Sequence, residues 1–180
     1  MNLPRRDLLA AASLAPLAGW SAGAVWAQTA VPSASGEAKA PPLPRIDAPL
    51  PLTRVNLFDG SVFEPSRAEG QVLLVYWWAS WCPFCAVQSP HIEKLWQSQK
   101  ARGLQVLALS IDRTREAAEN YMRQKNYSFP AGMLTPEVAK VLPKPKGLPV
   151  TVVRGRAGRT VFAEAGEMFP EDIEGLAKYL

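Results

Sequence analysis

Residues 72–85 read Val72-Leu73-Leu74-Val75-Tyr76-Trp77-Trp78-Ala79-Ser80-Trp81-Cys82-Pro83-Phe84-Cys85. Residues 72–78 are apolar or aromatic at consecutive positions, as expected of a central β-strand covered on both faces. From Cys82 to about Ala101 the pattern becomes helical, with Ala86, Val87, Ile92, Leu95 and Trp96 expected toward a core. Pro90 removes a backbone donor inside that helix and predicts a kink. Gly103 predicts its end. The two cysteines therefore stand where a strand hands over to a helix. Cys82 falls at the N-cap, Pro83 in the first turn and Cys85 one turn in. A helix start offers unpaired N–H groups and about half a positive charge, which favour a thiolate at Cys82 over a thiol. Cys85, one turn down, is expected to be shielded and less acidic. At this spacing the two sulfurs can meet within disulfide distance. Cys82 can then attack a partner's disulfide and Cys85 can resolve the mixed disulfide. Read backward, the same pair oxidises a partner dithiol.

Upstream, Val55, Leu57 and Phe58, the turn pair Asp59-Gly60, then Val62 and Phe63 predict a β-hairpin. Downstream, Leu104 to Ile111 predicts a second buried strand. Thr114 to Asn126 predicts a polar helix with Thr114 as N-cap. A short helix starts at Thr135-Pro136-Glu137, with Pro at its first position. Val150 to Arg154 and Arg159 to Ala163 predict a second hairpin around Gly155 and Gly158, and Pro170 to Leu180 a closing helix. The order is β-hairpin, β, α, β, α, short α, β, β, α. Parallel β-α-β followed by an antiparallel hairpin predicts a mixed sheet with helices on both faces.

Residues 1–27 read as an export signal. Arg5 and Arg6 form its positive start, Leu8 to Gly19 is uncharged and rich in Leu and Ala, and Val25-Trp26-Ala27 suits a signal peptidase. Arg5-Arg6 followed by Asp7-Leu8-Leu9-Ala10 partly matches a twin-arginine signal, with Pro4 and Leu8 as departures, and the general secretory route fits as well. No charge falls between Leu8 and Gly36, a length that would also suit an uncleaved N-terminal membrane anchor, but Pro16, Gly19, Ser21 and Gly23 make it a poor span. On any of these routes the remainder faces an oxidising, periplasmic compartment. Residues 28–52 hold six Pro and no aromatic residue, and read as a tether. Residues 53–180 are the expected folded domain.

The 180-residue chain is 48% hydrophobic and 20% charged, an ordinary globular composition. Its net charge of +4 is small and spread out, so no nucleic-acid surface is indicated. One His and two Cys argue against a four-ligand Cys/His zinc site and against a disulfide-dense scaffold.

Taken together, Trp78 to Cys85, the strand before them, and Pro90 eight residues after Cys82 resemble the active-site region of the thioredoxin superfamily. Gly147-Leu148-Pro149-Val150-Thr151 resembles the loop that carries that family's cis-proline. The leader, the Pro-rich segment, the Asp59-Gly60 hairpin, Ser110-Ile111-Asp112 and Ala165-Gly166-Glu167-Met168 resemble the TlpA/ResA-type branch of exported members. The resemblance covers about residues 53–180. It implies an α/β fold: a thioredoxin-like mixed β-sheet with helices on both faces and an added N-terminal β-hairpin. It implies a thiol–disulfide oxidoreductase with Cys82 and Cys85 catalytic, and no cofactor or metal beyond the redox-active Cys82–Cys85 disulfide. A cis bond is implied before Pro149. The Leu148 backbone would receive an extended substrate segment, and Trp81 and Phe84 would give apolar contact around the reacting sulfur. Implied partners are protein disulfide or dithiol substrates, with cytochrome c or copper-site assembly proteins as targets and a transmembrane thiol reductase of the DsbD type to recharge the pair.

Two positions depart from the family pattern. Tyr76 stands where thioredoxins carry a buried Asp, and Gln88 where many reductases of the branch carry a Glu. Cys85 therefore lacks a general base of the family type, and Glu93 is two helical turns beyond it. Pro83-Phe84 brings neither charge nor donor to the thiolate, which places the couple at about −150 to −270 mV. Two alternatives stay open: a periplasmic dithiol oxidant, and a Cu(I)-binding metallochaperone held by the two thiolates. A haem-attachment motif fails because Ala86 follows Cys85, and a peroxidase site lacks its Thr, since Ala79 stands there. His91, Lys144, Lys146 and the Arg154, Arg156 and Arg159 group are expected to be ordinary solvated residues.

Overall fold

The computed structural model of the chain describes residues 39–180. The expected leader, 1–27, and the first part of the expected tether lie outside the described residues. A five-stranded sheet runs in the order β5-β4-β3-β6-β7. Its strands are β3 (Val72–Trp78), β4 (Leu104–Ser110), β5 (Ala131–Met133), β6 (Val150–Arg154) and β7 (Thr160–Ala165). β3 and β4 pair in parallel, as do β4 and β5, while β6 runs antiparallel to both β3 and β7. The helices are α1 (Pro83–Gln99), α2 (Arg115–Lys125), α3 (Pro136–Val141) and α4 (Pro170–Gly175). α1 and α4 each end in a short 3-10 turn, Lys100–Arg102 and Leu176–Tyr179. Among the described residues no helix is long and apolar enough to cross a membrane.

β3 is central, and all seven of its residues are buried. Its side chains alternate between two apolar layers. Val72, Leu74, Tyr76 and Trp78 join Ile92 and Leu95 of α1, Ala118 and Met122 of α2, and Ile173 of α4. Leu73, Val75 and Trp77 join Val138 of α3, Leu142 and the N-terminal segment on the other face. Helices thus cover both faces, as expected. Gly103 closes the end of the first helix at φ 97°, and a Cβ there would come 2.7 Å from Gln71 Oε1.

The N-terminal hairpin pairs β1 (Val55–Asn56) with β2 (Val62–Phe63) across Asp59-Gly60. It docks on β5, a three-residue strand that the sequence pattern did not reveal. Phe58 N–H donates to Ala131 O at 2.8 Å, and Leu57 bridges Gly132. A Cβ at Gly132 would lie 2.6 Å from Asn56 O, so this approach requires glycine. The hairpin thereby covers one exposed edge of the sheet.

The opposite edge corrects the expected tether boundary. Asp47 N–H donates to Thr160 O at 2.8 Å, Thr160 N–H to Ala48 O at 2.9 Å and Leu50 N–H to Gly158 O at 3.1 Å. Leu50 is buried, with Leu43 and Leu52 packed beside it. Residues from about 43 to 52 therefore belong to the folded body. Prolines lack an N–H, but their neighbours still pair with an open strand edge. Arg154 is likewise more than a solvated edge residue: its guanidinium donates to Leu50 O at 3.2 Å and Ala68 O at 2.9 Å, pinning this segment down.

Candidate active site

Cys82 caps α1 in an extended conformation, and its Sγ accepts the Cys85 N–H at 3.2 Å. Pro83 occupies the first helical turn, where a missing N–H costs nothing. Both cysteines are free thiols. Cys82 is 4% exposed and Cys85, one helical turn in, 1%, so Cys82 is the more accessible residue of a buried pair. Burial pushes the Cys85 thiol far above the ordinary thiol range. Its hydrogen bond with Cys82 adds to this, while the Ala79 backbone and the Tyr76 hydroxyl act in the opposite sense.

The loop between β3 and α1 is held by a side chain that the sequence pattern did not single out for this role. Asp112 accepts Ser80 N–H at 3.1 and 3.2 Å and Ser80 Oγ–H at 2.7 Å. Its other oxygen accepts Ser110 Oγ–H at 2.7 Å, and Asp112 N–H donates to Ser110 Oγ at 3.0 Å. Its signal was the Ser110-Ile111-Asp112 stretch, located at the end of β4 beside the cysteine loop.

α1 meets the sheet through Cys85, Gln88, Ser89, Ile92 and Leu95. Ala86 and Val87, expected toward the core, face solvent instead. Cys85 and Ile92 fix the phase of the buried stripe, which then falls on 88 and 89. Gln88 is satisfied on both ends: its Nε2 donates to Thr151 Oγ1 at 2.9 Å and its Oε1 accepts Met168 N–H at 2.8 Å. It thus ties α1 to β6 and to the segment before α4. Tyr76 and Ser89 hydroxyls lie 3.0 Å apart beneath Cys85.

The Leu148–Pro149 bond is cis. Trp77 pairs with Val150, so the antiparallel register brings Pro149 alongside Trp78, next to the cysteine loop. Pro149 O accepts Gly166 N–H at 2.8 Å. Lys144 is engaged in the preceding loop, donating to Pro145 O at 2.8 Å and Gly147 O at 2.9 Å. Leu148 packs on the layer that contains both cysteines. Trp81 and Phe84, 58% and 55% exposed, form an apolar rim with Val87. Glu93 points elsewhere. Burial raises its pKa, but hydrogen bonds from Ser128, Gln97 and the Phe129 N–H outweigh that and hold it ionised as a clamp on the 128–129 turn. His91 is half-buried on α1, and Glu174 of α4 pairs with Lys94 of the same helix. Among the described residues no group of three His, Cys, Asp or Glu side chains is arranged to hold a metal ion.

The AhpC/TSA family profile matches residues 46–137. The thiol-disulfide oxidoreductase ResA of a Bacillus cereus strain is 26% identical over 123 residues, spanning 67% of this chain and 70% of that one. ResA of Bacillus subtilis (strain 168) is 23% identical over 110 residues, spanning 61% and 62%. A thiol:disulfide interchange protein of the thioredoxin family from Chlorobium tepidum TLS superposes with a TM-score of 0.68 at 22% identity, covering 74% of this chain and 95% of that one. StoA from Bacillus subtilis superposes with a TM-score of 0.61 at 16% identity, covering 72% and 97%. A cysteine pair at a strand-to-helix junction, a cis-proline loop alongside it and these likenesses converge: the chain belongs to the AhpC/TSA family and is a thioredoxin-fold thiol–disulfide oxidoreductase similar to ResA.

Proposed function

We propose that this oxidoreductase is an exported reductant of protein disulfides, with Cys82 attacking the partner's disulfide and Cys85 resolving the mixed disulfide. The observation that carries the division of labour is the cap geometry. Cys82 Sγ receives the Cys85 N–H at the helix start, while Cys85 is buried below it. A donor at the N-terminus of a helix favours the thiolate that attacks. A buried, protonated partner waits until the mixed disulfide brings a sulfur within reach. Trp81 and Phe84 then border the incoming sulfur, and the Leu148-Pro149 edge receives an extended segment of the partner by main-chain pairing.

The leader features at Arg5-Arg6 and Leu8 to Gly19 support export to the periplasm. The likeness to ResA-type proteins supports cytochrome c or copper-site assembly proteins as targets, and a DsbD-type membrane reductase as the electron source. Insulin reduction combined with a redox titration tests this reading. The expected result is turnover that Cys82→Ser abolishes and a potential within about −150 to −270 mV. A couple well above about −150 mV would instead make the protein a dithiol oxidant. Full activity in Cys82→Ser would overturn the mechanism.

A further inference from the structure

Tyr76 and Ser89 form a buried hydroxyl pair that the exchange chemistry above does not use. Tyr76 stands on β3 and Ser89 on α1, their oxygens 3.0 Å apart, and both residues are 0% exposed. Ser89 follows Cys85 by four residues and shares its helix face. Tyr76 packs in the same layer as both cysteines, and its hydroxyl is held by Ser89 one helical turn from Cys85. Its ring is fixed edge-on against Phe129, with centroids 6.4 Å apart at 89°. Two hydroxyls withdrawn from water are costly unless each has a partner. Here they have each other, one helical turn from Cys85.

We propose that Tyr76, oriented by Ser89, is the hydrogen-bond donor to Cys85 Sγ while that sulfur is a thiolate in the resolving step. This rests on the assignment of Cys82 as attacker and Cys85 as resolver. In that step Cys85 Sγ attacks Cys82 Sγ of the mixed disulfide. The Cys82–Cys85 bond forms, and the bond from Cys82 to the partner sulfur breaks with its electron pair going to the partner. The proton released by Cys85 ends on the departing partner thiol. Across the cycle the two cysteines lose two electrons and the partner's disulfide gains them.

The hydroxyl pair can reverse with the charge. Next to a neutral Cys85 thiol, Tyr76 donates to Ser89. Next to the thiolate, Tyr76 turns its hydrogen to the sulfur and Ser89 donates to Tyr76. Burial, reinforced by Cys85, holds Tyr76 protonated well past the ordinary phenol range, so it stays a donor throughout. The other titratable groups near Cys85 are Cys82, at the start of the helix, and Tyr121 of α2, whose ring lies 5.8 Å from Trp78. The carboxylates of Asp112 and Glu93 are engaged by Ser80 and Ser110, and by Ser128 and Phe129. Neither is a hydrogen-bond partner of Cys85 in the described residues.

Rapid-quench mass spectrometry with a small disulfide substrate separates the two steps. In Tyr76→Phe, mixed-disulfide formation at Cys82 is expected within twofold of wild type. Its resolution is expected to slow roughly tenfold or more, the scale of one charge-assisted hydrogen bond, with its pH profile displaced to higher pH. Ser89→Ala keeps the phenol and is expected to slow resolution by a few-fold with the same direction of displacement. A resolution rate and pH profile unchanged in both variants would overturn the proposal and leave the roles of the cysteines standing. Absence of any adduct on Cys82 in Cys85→Ser, where nothing resolves it, would overturn both together.

Discussion

The two faces of the central sheet are built differently. On the side of α3, Leu73, Val75 and Trp77 of β3 pack against Leu107, Leu109, Leu142, Val150 and Val152, an aliphatic and aromatic layer. On the cysteine side, the same strand presents Tyr76 among apolar neighbours, and Gln88, Ser89, Ser110 and Thr151 are buried there, with Asp112 at the layer's edge. Each of these polar groups is satisfied by a named partner. A buried polar group contributes little net stability and is costly when unpaired. Their concentration around one pair of sulfurs separates a face that holds the fold from a face that sets geometry for chemistry.

The largest expected effect that sharpens this contrast is Cys82→Ser, which abolishes disulfide exchange in the insulin assay while the circular dichroism spectrum stays that of the folded protein. Next is Trp77→Ala on the opposite face. It is expected to cost about 3–5 kcal/mol in urea unfolding, the range for emptying a large aromatic site. Attack by Cys82 in the protein that remains folded stays within twofold. A comparable loss of attack rate would break the separation of the two faces.

Asp112→Ala is expected to do both, more mildly. It strands Ser80 and Ser110 donors, at about 2–3 kcal/mol, and loosens the cysteine loop, slowing attack by several-fold in stopped-flow exchange. The smallest effect concerns pH. Burial raises the Cys85 pKa in the folded state, so above the ordinary thiol value of about 8.5 the unfolded chain binds fewer protons than the folded one. Stability of the dithiol form is therefore full below that pH and falls above it, by about 1.4 kcal/mol per pH unit from this group. Thermal melts of the reduced protein between pH 7 and 10 check this, with Cys85→Ser losing that part of the slope.

The cysteine junction was legible in the sequence because it depends on local rules: a doubly apolar strand, an N-cap position and a proline in the first turn. The Leu148–Pro149 loop was legible by resemblance, and its bond is cis. β5 was not legible, since Ala131–Met133 has too few residues to show a period, and its place is fixed by Gly132 meeting the hairpin backbone. The phase of α1 departs from the apolar pattern at Ala86 and Val87 because a polar pair, Gln88 and Ser89, occupies the buried stripe. Polar residues become core only through partners distant in sequence, Thr151, Met168 and Tyr76 here, which periodicity cannot supply. The same holds for Arg154, whose partners at Leu50 and Ala68 are far from it along the chain.

Covalent trapping tests the division of labour between the two sulfurs most directly. Reduced Cys85→Ser and Cys82→Ser proteins are each mixed with a disulfide-bonded polypeptide, quenched in acid and mapped by mass spectrometry. A stable adduct on Cys82 in Cys85→Ser, with none on Cys85 in Cys82→Ser, is the predicted result. Equal trapping by both variants, or trapping through Cys85 alone, would contradict it.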